Sequence, residues 1–372
     1  MKIIFNTLPL FSPLSGVGRY LYHLATTFKT LFPTFNYYYY SGKLSRTLPD
    51  PSSLEKSGLS RLIKLIKGTP FSLLLRKLHH LLTPPISETF DLYLEANFIP
   101  LPSIKAKKIL VVVHDFSFHR FPEWHPPERV KYFELNFWSN LDKANYLICD
   151  SRTIYQEALE LGLPKERLAV IYPGIDHNLF RPLPQISLSL FSKSLKLPPR
   201  FILYVGTLEP RKNLLLLLEA YQLLPPLIRK HHPLLLVGPP GWKNESLLES
   251  IKRQGILYLG HLPDTYLPHL YNLATFLVYP SFYEGFGFPP LEAMACGCPV
   301  LVSDIPVFRE VYEEAALYFP PNAPQALKEK LEHLLEDSSL REDLKTKGLN
   351  QASKYSWEKT VLEIFSLWEH IP

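Results

Sequence analysis

Cysteine is scarce in this sequence, and its three residues form no pattern that builds a disulfide framework or a zinc site. Cys149 stands alone, and a single residue separates Cys296 from Cys298, which is not a zinc-ligand spacing. A chain of 372 residues with so few cysteines is typical of a protein that folds in a reducing compartment. We therefore expect a cytoplasmic protein.

Long apolar runs are also missing. No stretch reaches 18 uninterrupted apolar residues, so the sequence predicts no membrane span. The opening MKIIFNTLPLF has one lysine and an apolar run that stops at Pro9, which predicts no secretory signal. Charge is nearly balanced, because 40 Lys and Arg residues face 35 Asp and Glu residues and leave a net +5. This small excess favours a phosphate-bearing ligand or an anionic surface and does not indicate nucleic acid.

Apolar strands alternate with helical segments through both halves of the chain. The strand KIIFN, the glycine loop SPLSGVGRY and the helix GRYLYHLATTF follow one another as in nucleotide-binding half-sheets. KKILVVVHD, ANYLICDS and LAVIYPGID are further strands of the first half. A stretch rich in proline and serine at 181–200 predicts a linker, and the alternation then resumes from RFILYVG to PVLVSD. We expect an α/β protein with two doubly wound parallel sheets, one in each domain.

The stretch PSFYEGFGFPPLEAMACGCPV brings carboxylates and glycines, whose backbone is not covered by a side chain, together at the start of a helix. Pro289 and Pro290 suit a first helical turn, whose N–H groups have no partner in the helix. Gly287 lets a ligand approach the backbone, and the helix dipole favours an anion there. Glu292 is expected in the first turn and Glu284 before the bend. These features indicate a phosphate site, although a lone acid in a first turn can simply complement the dipole.

Several motifs together resemble one known family. YPSFYEGFGFPPLEAMACGCPV resembles the glutamate–seven–glutamate signature of retaining glycosyltransferases of family 4, and YVGTLEPRKN resembles the basic loop of that family. LSGVGRY is similar to its amino-terminal glycine loop, and VVVHD to its histidine-bearing strand end. SRTIYQEALELGLPKERLAVIYPGID is similar as well, so the match covers most of the chain in the right order and is weakest at 47–87.

The resemblance implies a GT-B fold, in which two Rossmann-like domains face each other across a cleft. Residues 1–185 would form the acceptor domain together with a C-terminal crossover helix at 356–372, and residues 200–355 the donor domain. The donor would be a nucleotide diphosphate sugar, and the acceptor a glycan or a lipid-linked glycan. Transfer would retain the anomeric configuration, without a metal, a cofactor or a covalent nucleophile.

The resemblance also implies roles for particular residues. Glu284 and His114 would be catalytic, with both facing the donor sugar. Arg211 and Lys212 would bind the diphosphate, which two cations and a helix N-terminus can stabilise as it leaves. Glu292 would bind the ribose, and Gly16 would let the first loop approach the phosphates. The full set of substrate-binding residues is Gly16, Arg211, Lys212, Gly287, Phe288, Leu291 and Glu292.

Rival functions leave different marks in a sequence. A dinucleotide-binding dehydrogenase needs G-x-G-x-x-G, but Leu21 occupies the last position after Gly16 and Gly18. A metal-dependent transferase would normally carry D-x-D, and no two aspartates lie two residues apart. A non-catalytic nucleotide-sugar-binding protein on the same fold remains an alternative. Among family members, GTLEPRKN and YEGFGFPPLEAMACG look most like bacterial mannosyltransferases that build surface polysaccharides.

The segment SGLSRLIKLIKGTPFSLLLRKLHHLL, residues 57–82, mixes cations with apolar residues and contains no acidic residue. Pro70 divides it into two short predicted helices. Basic amphipathic helices of this kind bind anionic membrane surfaces, which would put the protein on the inner face of a membrane. Alternatively, the helices pack on the amino-terminal sheet and their cations face water.

Overall fold

A computed structural model describes residues 1–11, 16–50 and 86–371 of the chain. The chain divides into two compact units: unit 1 is Met1–Gly174 with Trp357–Pro372, and unit 2 is Ile175–Ser356. The basic segment 57–82 lies outside the described residues, and so does the membrane contact expected of it. No helix of the part described is long and apolar enough to cross a bilayer.

The strands follow chain order from β1 to β13. In unit 1 they are β1 (Lys2–Asn6), β2 (Asn36–Tyr40), β3 (Leu44–Ser45), β4 (Thr89–Glu95), β5 (Lys105–Val113), β6 (Tyr146–Cys149) and β7 (Leu168–Val170). In unit 2 they are β8 (Ile202–Val205), β9 (Leu234–Val237), β10 (Leu257–Tyr258), β11 (Phe276–Tyr279), β12 (Val300–Ser303) and β13 (Leu317–Phe319).

The α-helices of the described residues are numbered in the same way. They are α1 (Gly16–Leu31), α2 (Ser117–Arg120), α3 (Pro127–Leu141), α4 (Arg152–Glu160), α5 (Gln185–Leu195), α6 (Leu214–Gln222), α7 (Pro226–His231), α8 (Glu245–Arg253), α9 (Leu267–Leu273), α10 (Phe288–Ala295), α11 (Pro306–Tyr312), α12 (Pro324–Glu336), α13 (Ser338–Ala352) and α14 (Trp357–Glu369). Short 3-10 turns occur at Leu8–Phe11, Pro122–Trp124, Lys165–Arg167, Pro210–Lys212, Asp264–Tyr266 and Glu313–Ala315.

Each unit has its own parallel sheet, as the alternation predicts. Within the described residues, the sheet of unit 1 runs β3-β2-β1-β4-β5-β6-β7, and only the β2–β3 pair is antiparallel. The sheet of unit 2 runs β10-β9-β8-β11-β12-β13 and is parallel throughout. Both orders reverse at one point, between β1 and β4 and between β8 and β11. The predicted class of two doubly wound Rossmann-like units is confirmed, and ligands in such sheets bind beyond the carboxyl ends of the strands at the reversal.

The stretch at 181–200 differs from the linker that its proline content predicts, because it contains helix α5. Pro184 precedes the first helical residue, where proline does not interrupt a helical hydrogen bond. Leu188 is buried, and the Phe191 ring stacks on His269 of α9 with ring centroids 4.5 Å apart. Apolar packing therefore makes this segment part of unit 2.

The last helix packs in unit 1. Trp357, Val361 and Ile364 of α14 are buried. The Tyr20 ring of α1 meets the Trp357 ring edge-on at 5.1 Å, and the Phe32 and Phe365 rings lie 4.4 Å apart. The apolar face of α14 therefore covers α1.

Candidate active site

The reversal point of unit 2 brings two loops together, one after β8 and one after β11. The Phe282 N–H donates to the Arg211 carbonyl oxygen at 2.9 Å and ties the loops to each other. Asn213 ends the short turn Pro210–Lys212 in the left-handed conformation, with φ 55°, and its side-chain amide donates to the Pro321 carbonyl oxygen at 2.8 Å. The backbone thus holds two consecutive cations at the carboxyl edge of the sheet.

Glu284 lies between those cations. The Arg211 Nη1 donates to Glu284 Oε2 at 2.6 Å, and the Lys212 Nζ donates to Glu284 Oε1. Ser281 Oγ donates to the same Oε1 at 2.8 Å. Glu284 and Lys212 are each 6% exposed. The structure therefore joins three of the residues that the motifs single out in one buried cluster.

Two further side chains of this cluster are not identified by the sequence analysis. Glu209 is 4% exposed, and its Oε1 accepts from Arg211 Nε at 2.6 Å. The Tyr279 hydroxyl, at the end of β11, accepts from Lys212 Nζ at 2.6 Å. Glu209 and Glu284 balance the charges of Arg211 and Lys212. Glu209 lies within GTLEPRKN, and its position two residues before Arg211 was the only sequence signal for this contact.

Electrostatics keep the Glu284 carboxylate ionised. Burial alone would raise its pKa, but the charges of Arg211 and Lys212 and their hydrogen bonds outweigh burial and lower the pKa to about 2. Burial and the neighbouring Arg211 charge lower the pKa of Lys212. An anion that binds beside Lys212 would favour its charged form.

Helix α10 begins one residue earlier than the prolines suggest. Its first residue is Phe288, so Pro289 and Pro290 occupy the next two positions and contribute no N–H groups. Gly287 precedes the helix with φ +97°, and its carbonyl oxygen accepts from the Tyr312 hydroxyl at 2.6 Å. The amides of Gly287 and Phe288 are thus the donors that this helix start supplies.

Glu292 lies in the second turn of α10, not in the first turn as the sequence predicted, because the helix starts at Phe288. It is 3% exposed, and its Oε2 accepts from the Tyr271 hydroxyl at 2.9 Å. The neighbouring Leu291 is fully buried.

Unit 1 has a polar edge at its own reversal point. Asn6 ends β1 and Glu95 ends β4, and the Asn6 side-chain amide donates to Glu95 Oε2 at 2.9 Å. His114 directly follows β5 and Asp150 directly follows β6. The His114 Nδ1 lies 2.6 Å from Asp150 Oδ2, and its Nε2 lies 2.9 Å from the Ala96 carbonyl oxygen.

The sequence analysis identifies His114 at this edge but not its acidic neighbours. Glu95 and Asp150 each follow an apolar run, in LYLE and LICD, which was the signal available. Burial raises the pKa of Glu95 to about 7, although hydrogen bonds from Tyr93, Asn6 and the Asn97 amide oppose the shift. Across the residues described, no group of three or more His, Cys, Asp or Glu side chains is arranged to hold a metal ion.

Gly16 is the first residue of α1 and is exposed. A Cβ built on it meets no heavy atom of the described residues within 4 Å. The space around Gly16 therefore does not by itself require glycine, and the preceding residues 12–15 lie outside the described chain.

Two known protein families match this chain, one in each unit. The family described as glycosyl transferases group 1 matches residues 188–351, and glycosyltransferase family 4 matches residues 14–179. The O-antigen chain mannosyltransferase B of Escherichia coli is 34% identical over 99% of this chain and 100% of its own length. The chain is a family 4 glycosyltransferase. The resemblance drawn from its motifs, including the likeness to bacterial mannosyltransferases of surface polysaccharides, is confirmed.

Other relatives of this glycosyltransferase are partial or distant. The serotype-specific mannosyltransferase WbdA of Escherichia coli is 33% identical over 61% of this chain, which covers only 29% of WbdA. The crystal structure of Anabaena Alr3699/HepE in complex with UDP-glucose matches with a TM-score of 0.71 at 19% identity over 99% of both chains. The structural match establishes the GT-B fold.

Proposed function

We propose that this glycosyltransferase moves a mannosyl residue from a nucleoside diphosphate sugar to a growing surface polysaccharide, with retention of the anomeric configuration. The observation that carries the proposal is the buried Glu284 between Arg211 and Lys212 at the reversal point of unit 2. Two relatives are mannosyltransferases by name, which supports mannose as the sugar.

The cation pair suits a leaving diphosphate. Without ligand, Glu209 and Glu284 neutralise Arg211 and Lys212, so the buried cluster carries no net charge. A diphosphate brings the negative charge that these cations and the amides of Gly287 and Phe288 can stabilise as the glycosidic bond breaks. We propose that these groups replace a metal ion in this role, with Glu292 holding the ribose.

Glu284 is suited to a permanent negative charge. Its pKa of about 2 makes it a weak base, so it is a poor proton acceptor at neutral pH. A fixed carboxylate instead stabilises positive charge at the sugar carbon and accepts hydrogen bonds from sugar hydroxyls. We propose this role for Glu284 and assign no covalent nucleophile. The departing phosphate then takes the proton of the acceptor hydroxyl on the same face, which retains the configuration.

On the acceptor side, we propose that His114 faces the donor sugar and that Gly16 lets the first loop approach the phosphates. The acceptor is a glycan carried on a lipid, and segment 57–82 would keep the enzyme at an anionic membrane surface. The support is the composition of that segment, which has cations and apolar residues but no acid. Sedimentation with anionic liposomes at low and high salt tests the contact. Wild-type protein that stays in the supernatant at low salt would exclude it.

The function is tested with a panel of nucleotide sugars. GDP-mannose, UDP-glucose and UDP-N-acetylglucosamine are compared by thermal stabilisation and by release of the nucleoside diphosphate in the presence of mannose oligosaccharides. We expect GDP-mannose to stabilise the protein most and to yield an α-linked product. Stabilisation without any transfer, using lipid-linked as well as free acceptors, would favour the alternative of a non-catalytic nucleotide-sugar-binding protein.

A further inference from the structure

Both ring nitrogens of His114 face oxygen atoms. Nε2 lies 2.9 Å from the Ala96 carbonyl oxygen, which can only accept a hydrogen bond, so Nε2 carries a hydrogen. Nδ1 lies 2.6 Å from Asp150 Oδ2. Two bare acceptors would repel each other at that distance, so a proton lies between them as well. The contacts therefore require two protons around one imidazole ring.

Sheet register produces this pair. Val113 of β5 is paired with Cys149 of β6, so the residues that follow them, His114 and Asp150, leave the sheet side by side. The side chains of His114 and Asp150 are 11% and 3% exposed. The rings of Tyr20 and Phe98 meet the imidazole edge-on at 5.0 and 5.1 Å. Packing and hydrogen bonds therefore fix the ring in one orientation.

The charged and titratable groups around the ring come from four elements. Asp150 follows β6, Asp115 follows His114 in its own loop, Glu95 ends β4, and Tyr20 belongs to α1. Burial alone would lower the pKa of His114, but the charge of Asp150 and the hydrogen bonds to Asp150 and Ala96 outweigh it and raise the pKa. Burial also raises the pKa of Asp150, against the charge and hydrogen bond of His114. With the pKa of His114 raised above that of an ordinary imidazole, the ring nitrogen keeps the shared proton and the ring is cationic.

Two buried polar atoms beside the ring also call for an explanation. The second oxygen of Asp150, Oδ1, and the Tyr20 hydroxyl are inaccessible to solvent and have no hydrogen-bond partner among the described residues. Native proteins rarely leave such atoms unsatisfied, because a buried polar atom without a partner destabilises the fold. A carboxylate kept here at that cost is better explained by a requirement of the site than by packing alone.

We propose that Asp150 is a positioning residue for sugar transfer: it keeps His114 doubly protonated and fixed, so that His114 presents a positive charge and cannot act as a base. The proposal rests on the proposed function, because it gives the form in which His114 would meet the donor sugar. It also assigns removal of the acceptor proton to a group other than His114. Asp150 itself is not required to touch a substrate.

The protonation state is tested first, without any substrate. Protein labelled with ¹⁵N at histidine is titrated from pH 6 to 8 by NMR, and His114 is assigned by comparison with His114→Gln. We expect both His114 nitrogens to keep the chemical shifts of an imidazolium across this range. A neutral ring at pH 7 in the wild-type protein would overturn the proposal.

The role of Asp150 is tested with Asp150→Asn. In this variant we expect His114 to become neutral by pH 8, because burial is no longer opposed by the charge and hydrogen bond of Asp150. Asp115→Asn is the matched control: its carboxylate accepts from Ser117, at 2.9 Å from the amide and 2.6 Å from the hydroxyl, and its charge supports the imidazolium less than that of Asp150 does. The control should keep the imidazolium shifts. Unchanged shifts in Asp150→Asn would overturn the proposal.

Kinetics with GDP-mannose complete the test. We expect Asp150→Asn to lower kcat on the order of 10²-fold at pH 8 with little change in KM, and to regain activity as the pH falls to 6 and His114 takes up its proton. A role in folding alone would not give this recovery. Wild-type kcat in a variant whose His114 is neutral would overturn the proposal. A wild-type protein with the imidazolium but no transfer from any donor would instead overturn the proposed function.

Discussion

At the scale of single residues, substitutions in the Glu284 cluster test whether its carboxylate acts on the sugar and its cations bind the diphosphate. We expect Glu284→Gln to reduce transfer by on the order of 10²–10³-fold, because the amide no longer stabilises charge at the sugar carbon. Nucleoside diphosphate binding should be kept or tightened, because Arg211 and Lys212 lose a neutralising anion. Activity is measured with GDP-mannose, and binding with GDP by calorimetry.

Glu292→Gln is the matched control for that substitution. It makes the same chemical change in unit 2, at a carboxylate held by Tyr271 instead of by the cations. We expect it to weaken nucleotide binding more than it lowers kcat, because a contact to the ribose contributes to binding. Near-wild-type turnover by Glu284→Gln would contradict the role of that residue.

The cations should distinguish a diphosphate from a nucleoside. We expect Arg211→Ala and Lys212→Ala to weaken GDP binding strongly and guanosine binding little, because only GDP carries the phosphates. Lys230→Ala removes an exposed cation of α7 in the same unit and controls for general charge. Equal losses for the two ligands would move Arg211 and Lys212 away from the phosphates.

Glu95 should make the stability of the protein depend on pH. Its pKa is about 7 in the folded protein against an ordinary value of 4.5, so the folded state holds this proton more tightly. The free energy of unfolding should therefore fall by about 3 kcal/mol as the pH rises from 4.5 to 7, and stay lower above that. Glu95→Gln should flatten this part of the denaturation profile. Glu134→Gln, at an exposed position of α3, should not.

Sequence predicts the site of unit 2 better than that of unit 1, for a physical reason. Arg211, Lys212 and Glu284 lie in short motifs with distinctive glycines and prolines, so their types and spacing were visible. The partnership of His114 with Asp150 depends on which strands are neighbours and in what register. His114 and Asp150 are 36 residues apart in the chain, so the pairing of their strands leaves no local pattern in the sequence.

At the scale of elements, apolar runs predict the central strands because such strands are buried on both faces. The strands NYYYY and TFDLYLE were missed, since their polar and aromatic residues do not form a continuous aliphatic run. Helix α5 was missed because prolines on both sides resembled a linker, although they mark the two ends of the helix. Prolines on both sides of a segment therefore do not tell a helix from a linker, and the burial of the segment's side chains decides between them.

The start of α10 depends on Gly287, and this can be tested. A Cβ at this position would lie 2.2 Å from the Tyr312 hydroxyl oxygen and 2.8 Å from the Phe308 ring, in a backbone with φ +97°. We expect Gly287→Ala to lower the free energy of unfolding by several kcal/mol and to disturb nucleotide binding. Chemical denaturation measures the first effect and GDP titration the second.

Gly255→Ala is the control for backbone conformation alone. Gly255 also has a positive φ, +64°, in unit 2, but a Cβ there meets no described atom within 4 Å. We expect it to cost about 1 kcal/mol. If Gly287→Ala cost no more than this control, the close contact with Tyr312 would not constrain the helix start.

At the scale of the whole molecule, two units with the same sheet order carry different polar groups at the same topological place. Unit 2 places two cations and two carboxylates at its reversal point, whereas unit 1 places the Asn6–Glu95 pair at its reversal point and the His114–Asp150 pair beyond the neighbouring strands β5 and β6. Parallel sheets of this kind expose the carboxyl ends of their strands to ligands, so one fold supports two different sites. The cationic one is suited to a nucleotide.

If the nucleotide binds unit 2, it should slow amide hydrogen exchange in that unit. At about 100 times its dissociation constant, GDP should stabilise the folded protein by about 2.7 kcal/mol, because it binds the folded state alone. Hydrogen exchange should slow most in unit 2, in the loops after β8 and β11 and at the start of α10, since these carry the cations and the helix amides. In Lys212→Ala, GDP should no longer slow this exchange. Without nucleotide, the variant should exchange like the wild type everywhere outside these loops. Protection confined to unit 1 would contradict the assignment of the donor to unit 2, because the amides that slow would then lie beside His114 rather than beside Arg211.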